Sequence, residues 1–147
     1  VRVLDAAATT LMGRTATGKP SDFAAAGGTV VLAPLVAEAV PAAEAVAHVA
    51  RDYERTAAAF PGRRIVIGET GWPSAGDSNG RAVPDPVSQR RFLSGFVEWA
   101  RSRGVEYLFF SAFDEPWKTV GEGTVGGHWG LLGSDRTMKS EIRRVWY

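Results

Sequence analysis

The chain has 147 residues, a formal net charge of +1, 45% hydrophobic residues and 22% charged residues. These values are typical of a folded globular domain, and no run of about 18 or more apolar residues predicts a membrane span. Acidic and basic residues are interspersed, which argues against binding to nucleic acid or to an anionic membrane. The absence of cysteine excludes disulfides and thiolate metal sites.

Strands and helices are predicted to alternate from residue 29 onward. Thr29–Ala33 is a short apolar run that predicts a buried strand. A helix is predicted to follow from Pro41, with apolar residues at helical spacing up to Phe60. Arg64–Glu69 is a β-branched run typical of a parallel strand that is covered on both faces.

The second half of the chain continues this alternation. Asp85 and Pro86 predict the start of a second helix, because aspartate is a favoured N-cap and proline is tolerated at the first helical position. Gly104 stands where a C-terminal cap is expected. Val105–Phe113 predicts a third strand, and Thr137–Tyr147 predicts a closing helix.

This alternation predicts an α/β fold with a parallel sheet, because parallel strands are joined by right-handed helical crossovers. In such folds the functional side chains gather at the carboxyl ends of the strands. Residues 1–28 fit a strand end at Val1–Leu4 and are otherwise unassigned. They also lack the basic start and apolar segment of a secretory signal, so we expect that an N-terminal part is missing.

The first candidate site, Glu69–Gly76, directly follows the central strand and reads Glu-Thr-Gly-Trp-Pro-Ser-Ala-Gly. Period-two alternation places Ile65, Ile67 and Glu69 on one face, so a carboxylate ends a column of apolar side chains. A structural carboxylate that caps a neighbouring turn is the alternative. Trp72 favours a sugar-facing site, because aromatic rings stack on the apolar faces of pyranose rings.

A second candidate site, Phe113–Lys118, follows the third strand and combines carboxylates, a tryptophan and a cation. Lys118 lies within one turn of Glu115, which predicts an ion pair beside the site. An ordinary surface ion pair of little energetic weight is the alternative.

The glycine-rich segment Glu122–Gly130 adds an acid, an imidazole and an indole. It lacks the spacing and the Gly-Lys-Ser/Thr ending of a phosphate-binding loop, so nucleotide binding is not expected. His48 and His128 are the only histidines, which argues against a histidine metal site, and no metal or other cofactor is expected. Ser74 lacks the Gly-x-Ser-x-Gly spacing of an esterase nucleophile.

These motifs resemble glycoside hydrolase family 17. Glu69–Gly76 is similar to the nucleophile signature of that family, and Phe113–Lys118 with Glu122 and His128–Leu131 is similar to its C-terminal signature. The similarity extends from about Pro41 to Glu141 and is closest to the bacterial branch of β-1,3-glucan hydrolases and transglycosylases.

The resemblance implies the C-terminal portion of a TIM (β/α)8 barrel, with residues 29–147 as a partial catalytic domain and residues 1–28 unassigned. It also implies a retaining hydrolysis in which Glu69 is the nucleophile and forms a covalent glycosyl ester. The supporting residues would be Glu115, Lys118 and Glu122. The candidates for sugar contact are Trp72, Trp117, His128 and Trp129. A β-glucan polysaccharide or oligosaccharide is the expected partner, and the family suggests a secreted or periplasmic protein.

The chain departs from the family pattern in its acid/base residue and in its number of strand–helix units. The family's general acid/base is a glutamate that follows an asparagine, whereas the only asparagine here is Asn79 and no Asn-Glu pair occurs. About three strand–helix units can be counted, whereas a closed barrel has eight. We therefore expect a truncated chain that carries the nucleophile half of the site.

Two alternatives to a hydrolase stay open. The first is a β-glucan transglycosylase, in which an acceptor sugar intercepts the glycosyl ester. The second is a noncatalytic fragment that binds glucan or associates with itself, with open sheet edges paired between copies.

Overall fold

The computed structural model describes residues 2–4, 10–12, 29–33 and 40–146. Its strands are β1 (Arg2–Leu4), β2 (Thr10–Met12), β3 (Val30–Ala33), β4 (Ile65–Thr70) and β5 (Glu106–Phe109). Its helices are α1 (Ala42–Ala59), α2 (Pro86–Arg103), α3 (Thr119–Glu122) and α4 (Ser140–Arg143). Within these ranges no helix is long and apolar enough to cross a membrane.

The sheet has the strand order β2-β1-β3-β4-β5. Strands β3, β4 and β5 are parallel, with α1 and α2 in the two connections between them. The predicted alternation of parallel strands and helices is therefore confirmed for residues 30–109. Strand β1 is antiparallel to both β2 and β3 and lies within the strand end predicted at Val1–Leu4, whereas β2 lies in the stretch that the sequence left unassigned.

Helix α1 begins after Pro41 and ends before Phe60, as predicted. Its buried face consists of small and β-branched residues: Ala42, Ala45, Val49 and Thr56. The Thr56 hydroxyl donates a hydrogen bond to the Asp52 carbonyl at 2.8 Å, one helical turn earlier, so this buried polar group is satisfied. The small side chains bring the helix close to the sheet.

Both ends of α2 match the predicted caps. The Asp85 carboxylate accepts hydrogen bonds from the N–H groups of Val87 and Ser88 at 2.8 and 2.9 Å, and Pro86 is the first helical residue. Gly104 ends the helix in the left-handed conformation, with φ of 65°, which costs glycine little.

Helices α1 and α2 cover one face of the sheet and form the hydrophobic core with it. Leu32 and Ile67 from the strands and Val49, Phe92 and Phe96 from the helices are all 0% exposed. The rings of Phe92 and Phe96 stack with their centroids 5.9 Å apart. This layer fixes β4 against the two helices.

The opposite face of the sheet carries Val31, Val66 and Leu108, and we call it the open face. Leu108 is 65% exposed, so none of the described elements covers the sheet at this point. The sequence predicted strands covered on both faces, and the described residues bury only one. The described part is therefore a two-layer α/β unit and not a closed barrel.

Strand β5 ends at Phe109, earlier than the predicted Phe113, because the chain beyond it bonds to another segment. The Ser111 carbonyl accepts from the Leu131 N–H at 3.0 Å, and Phe113 forms a parallel bridge with Leu132. Residues 111–113 are thereby fixed against residues 131 and 132, which directly follow the glycine-rich segment.

The closing helix is also shorter than predicted. Helix α4 is a single turn, whereas the sequence predicted a helix over residues 137–147. Met138 pairs with Leu132 in an antiparallel bridge, so the chain is still extended there and turns into a helix only at Ser140. Ile142, at 1% exposure, anchors this turn in the core. Tyr147 lies outside the described residues.

The Asp85 cap is expected to make stability depend on pH. Burial alone would raise the pKa of Asp85, but hydrogen bonds from Ser88 and Val87 and the charge of Arg91 outweigh it and hold this pKa below its ordinary value of 3.8. Because the pKa is lowered in the folded state, the stabilisation is complete above the ordinary value. It is lost as the pH falls through the lower, folded-state pKa.

Asp85→Ala is expected to lower the free energy of unfolding by about 1 kcal/mol at neutral pH. Asp85→Asn is the matched control, because asparagine also caps helices but does not titrate. It should keep most of the stability at neutral pH and lose less of it in acid than the wild type. Urea denaturation followed by circular dichroism measures both effects. Equal stability of Asp85→Ala and the wild type at neutral pH would contradict the contribution of the cap.

Candidate active site

Glu69 is the penultimate residue of β4, at the carboxyl end of the parallel strands. Its side chain is exposed, whereas Ile67 and Thr70 are buried at 0% and 5% exposure. Among the described residues, the Glu69 carboxylate forms no hydrogen bond or ion pair. Glu69 therefore does not cap a neighbouring turn, which was the alternative interpretation of this carboxylate.

The sequence predicted that Glu69 shares a face with the buried Ile67, and this prediction is wrong. Ile67 pairs with Tyr107 and Thr70 pairs with Phe109, so β4 has one residue more than β5 between the two pairs. Such a β-bulge reverses the alternation of side chains beyond it. Thr70 therefore takes the buried position, and Glu69 lies on the open face.

Phe110 joins the end of β4 to the second candidate site. Its N–H donates to the Thr70 carbonyl at 2.8 Å, and its own carbonyl lies so close to Gly71 that any Cβ there would overlap it. Lys118 Nζ is 4.3 Å from the centroid of the Phe110 ring, and Trp129 packs against the same ring with the centroids 5.8 Å apart. Phe110 thus places a cation and an indole next to the end of β4.

Glu115 and Lys118 form the predicted ion pair. Their side chains are 27% and 23% exposed, whereas those of the surface pair Arg103–Glu54 are 59% and 56% exposed. Lys118 is also held by the face of an aromatic ring, which attracts a cation electrostatically. The pair is therefore partly buried and differs from the exposed pairs of the helices.

Trp72 belongs to the core and not to an exposed surface. It is 5% exposed, its ring centroid is 5.9 Å from that of Phe92, and its Nε1–H donates to the Val83 carbonyl at 3.1 Å. Because the ring is covered and its N–H is bonded, the structure contradicts the prediction that Trp72 contacts a sugar. Trp72 instead anchors the loop after Glu69 on α2.

Trp117 and His128 lie on two short 3-10 turns, Pro116–Lys118 and Gly126–His128, that touch each other. Trp117, on the first turn, is 68% exposed. His128 ends the second turn, where a Cβ on Gly127 would lie 3.2 Å from Pro116 Cα. Glu122 is exposed at the end of α3 and has no ion pair with any described residue. The structure therefore places Lys118 and Trp129 beside the end of β4 and leaves Glu122 apart from these contacts.

A partly buried polar junction centred on Lys139 was missed in the sequence. Its Nζ donates to Ser74 Oγ at 2.6 Å, to Asp114 Oδ1 at 2.7 Å and to the His128 carbonyl at 3.4 Å. Asp114 Oδ1 also accepts from the Gly130 N–H at 2.9 Å. One ammonium group therefore joins the loop after β4, the loop after β5 and the glycine-rich segment.

Gln89 of α2 makes a second connection that the sequence analysis did not assign. It is 0% exposed, and its Nε2 donates to the carbonyls of Trp72 at 2.9 Å and Gly130 at 3.0 Å. A signal for it exists, because Gln89 lies at helical spacing from Phe92 on the apolar stripe of α2. Lys139 offers no comparable signal, because its partners are far apart in the sequence.

The arrangement combines an exposed carboxylate at a strand end, a lysine–glutamate pair and an exposed indole on a nearby turn. A positioned carboxylate of this kind can attack an electrophilic carbon and form an ester. No group of three or more His, Asp or Glu side chains that could hold a metal ion occurs within the described ranges.

Residues 20–130 match the family described as the BtgE/BtgC glycoside hydrolase domain. A probable β-glucosidase, BtgE, of Aspergillus clavatus is 36% identical over 93 residues, which are 63% of this chain and 16% of that protein. A probable family 17 glucosidase, SCW10, of Saccharomyces cerevisiae is 38% identical over 99 residues, which are 67% of this chain and 25% of that protein. The chain thus spans a quarter or less of the length of these relatives.

Two solved structures of a β-1,3-glucanosyltransferase from Rhizomucor miehei have a similar fold. The first, described as a member of glycoside hydrolase family 17, is 30% identical with a TM-score of 0.77 over 86% of this chain and 46% of that chain. The second is an active-site mutant in complex with laminaritriose. It is 31% identical with a TM-score of 0.72 over 78% of this chain and 42% of that chain.

Lys139→Met is expected to destabilise the fold, because it leaves the partly buried Asp114 carboxylate without its cation. A largely covered polar group that is left without its partner costs about 1–3 kcal/mol, and a charged group lies at the upper end of this range. Arg103→Met, which removes the exposed pair with Glu54, is the matched control and should cost less than about 1 kcal/mol. Chemical denaturation measures both variants. Losses of the same size would show that the Lys139 junction does not hold the loops together.

The two tryptophans Trp72 and Trp117 are expected to differ in the same assay. Trp72→Ala removes a core side chain and should lower the free energy of unfolding by about 3–5 kcal/mol. Trp117→Ala changes an exposed side chain and should stay within about 0.5 kcal/mol of the wild type. If Trp72→Ala lowers the free energy of unfolding only slightly, the ring is not a core side chain, and Trp72 is again a candidate for sugar contact.

Proposed function

Because the chain belongs to the BtgE/BtgC glycoside hydrolase domain family, within glycoside hydrolase family 17, we propose that it carries the nucleophile half of a β-1,3-glucan-active site, with Glu69 as the nucleophile. The resemblance to family 17 and the partial (β/α)8-barrel fold are confirmed. The two curated relatives are fungal, so the placement in the bacterial branch stays a prediction. We propose residues 29–147 as the part of the catalytic domain that this chain contains.

The observation that carries the proposal is the position of Glu69. It lies at the carboxyl end of a parallel strand, where barrel enzymes hold their catalytic residues, and its carboxylate faces the open side of the sheet. Because no described residue bonds this carboxylate, both of its oxygens can approach an anomeric carbon on the open face. The Glu115–Lys118 pair and Trp129 surround the same strand end through Phe110.

The proposed reaction is the first half of a retaining displacement. The Glu69 carboxylate attacks the anomeric carbon, the glycosidic C–O bond breaks, and a glycosyl ester forms. Water or the hydroxyl of a second sugar then attacks the same carbon and releases Glu69. A natural glucan needs a proton on its leaving oxygen, and we assign no residue of this chain to that role, since the sequence has no Asn-Glu pair.

For the substrate we propose a β-1,3-linked glucan. An active-site mutant of the Rhizomucor miehei relative has a solved structure in complex with laminaritriose, and a neutral sugar suits the net charge of +1. Trp117 is the aromatic side chain best placed to stack on a sugar, because it is 68% exposed beside Lys118. His128 and Trp129 are further candidates for contact, and Glu115, Lys118 and Glu122 are proposed as supporting residues.

Transglycosylation is the second candidate for the fate of the ester. It is favoured by the likeness to a glucanosyltransferase, whereas the curated relatives are described as glucosidases. The two outcomes differ only in the acceptor that attacks the ester, so products made with an added oligosaccharide decide between them.

A laminaribiosyl fluoride with fluorine in place of the hydroxyl at C2 tests the nucleophile directly. Fluoride leaves without being protonated, and the fluorine at C2 slows the attack of water, so the ester accumulates. The mass of the chain is expected to rise by one fluorinated laminaribiosyl group, and peptide mapping should locate the group on Glu69. In Glu69→Gln the labelling rate should fall at least about a thousandfold.

Glu98→Gln, a change of an exposed glutamate on α2, is the matched control and should be labelled like the wild type. Laminaritriose added to the labelled chain should remove the group, and longer oligosaccharides among the products would identify transfer. A folded wild-type chain that gains no mass, or a label on another carboxylate, would contradict the proposal.

A further inference from the structure

The bulge in β4 consists of Gly68 and Glu69. Because Ile67 pairs with Tyr107 and Thr70 pairs with Phe109, these two residues together stand opposite the single residue 108 of β5. Ile67 and Thr70, on either side of the bulge, are both buried, at 0% and 5% exposure. The extra residue is therefore accommodated entirely on the open face of the sheet.

Val31 of the neighbouring strand β3 occupies the space that a side chain on Gly68 would need. A Cβ built on Gly68 would overlap Val31 Cγ1. Valine carries two heavy atoms on its own Cβ and has few rotamers available, so Val31 cannot easily turn away. Its backbone is also fixed, because Val31 pairs with Val66 in the parallel ladder.

We propose that Gly68 is the positioning residue for Glu69. The missing side chain lets β4 bulge beside Val31, and the bulge holds the Glu69 carboxylate on the open face. A side chain on residue 68 pushes β4 away from β3, and regular alternation then turns Glu69 toward the helices, as Ile67 is turned. What Glu69 does on the open face rests on the proposed function, but its position does not.

The absence of cysteine allows a test that needs no enzymatic activity. The thiol introduced by Glu69→Cys is expected to react with a maleimide about as fast as the exposed thiol of Leu108→Cys. The thiol of Ile67→Cys, at a position with 0% exposure, marks the slow limit. Adding Gly68→Ala should slow the reaction of the Glu69→Cys thiol by about tenfold or more, because the thiol then turns toward the helices and is protected from the maleimide.

A rescue variant separates positioning from a general loss of structure. Val31→Ala removes the overlapping atom, so adding it to the Gly68→Ala background should return the reaction to within about threefold of its original rate. Gly95→Ala is the matched glycine control, because a Cβ there would lie 3.4 Å from Val46 Cγ2 and needs little adjustment. It should leave the reaction of the Glu69→Cys thiol unchanged.

The same substitutions in the chain with Glu69 intact should act on glycosyl transfer. With the fluorinated donor, Gly68→Ala should lower the maximal labelling rate, and Val31→Ala should restore it.

If the thiol rates follow the expected pattern but the wild type is not labelled, the position of Glu69 is supported and the proposed function fails. An unchanged thiol rate in Gly68→Ala would overturn the proposal about Gly68. Fast reaction of the Ile67→Cys thiol in that background would also overturn it, since a local change is expected.

Discussion

Strands β4 and β5 keep a regular parallel register through Ile67, and β4 then accommodates one residue more before Thr70 pairs with Phe109. The space between β4 and the helices is already filled, because Ile67 and Phe92 are 0% exposed there, so it cannot accommodate the extra residue. The extra length is therefore placed on the open face, and Glu69 is placed with it. The arrangement of the candidate active site depends on this constraint.

Around this strand end, the structure uses connections between segments that are distant in sequence. Phe110 contacts the end of β4 through its backbone and contacts Lys118 and Trp129 through its ring. Lys139 joins the loops after β4 and β5 and the glycine-rich segment with three hydrogen bonds. Gln89 connects the loop after β4 to α2. Buried polar groups are costly unless they are bonded, so these contacts define one geometry for the loops.

The sequence predicted the elements well wherever local chemistry determines them. The caps of α2 at Asp85 and Gly104 and the start of α1 at Pro41 depend on single residues with strong local preferences, and all three were confirmed. The alternation of parallel strands and helices followed from hydrophobic patterns in the same way. The resemblance to glycoside hydrolase family 17 rested on two motifs and was confirmed by the family match.

The errors have a common physical origin in contacts between distant segments. A bulge depends on the register of two strands, so strict alternation assigned Glu69 to the wrong face. Trp72 was expected to face a sugar because it follows Glu69, but packing against Phe92 buries it. The closing helix was predicted too long because the bridge between Leu132 and Met138 is not visible in the sequence.

The central claim is that the bulge turns Glu69 away from the helices and onto the open face. Nuclear Overhauser contacts of the Glu69 side-chain protons in the isotopically labelled chain test it most directly. The account predicts contacts with the methyl groups of Leu108, on the open face, and none with the ring protons of Phe92 or Phe96. Contacts with those rings and none with Leu108 would show that β4 alternates regularly, and the account of the site would be wrong.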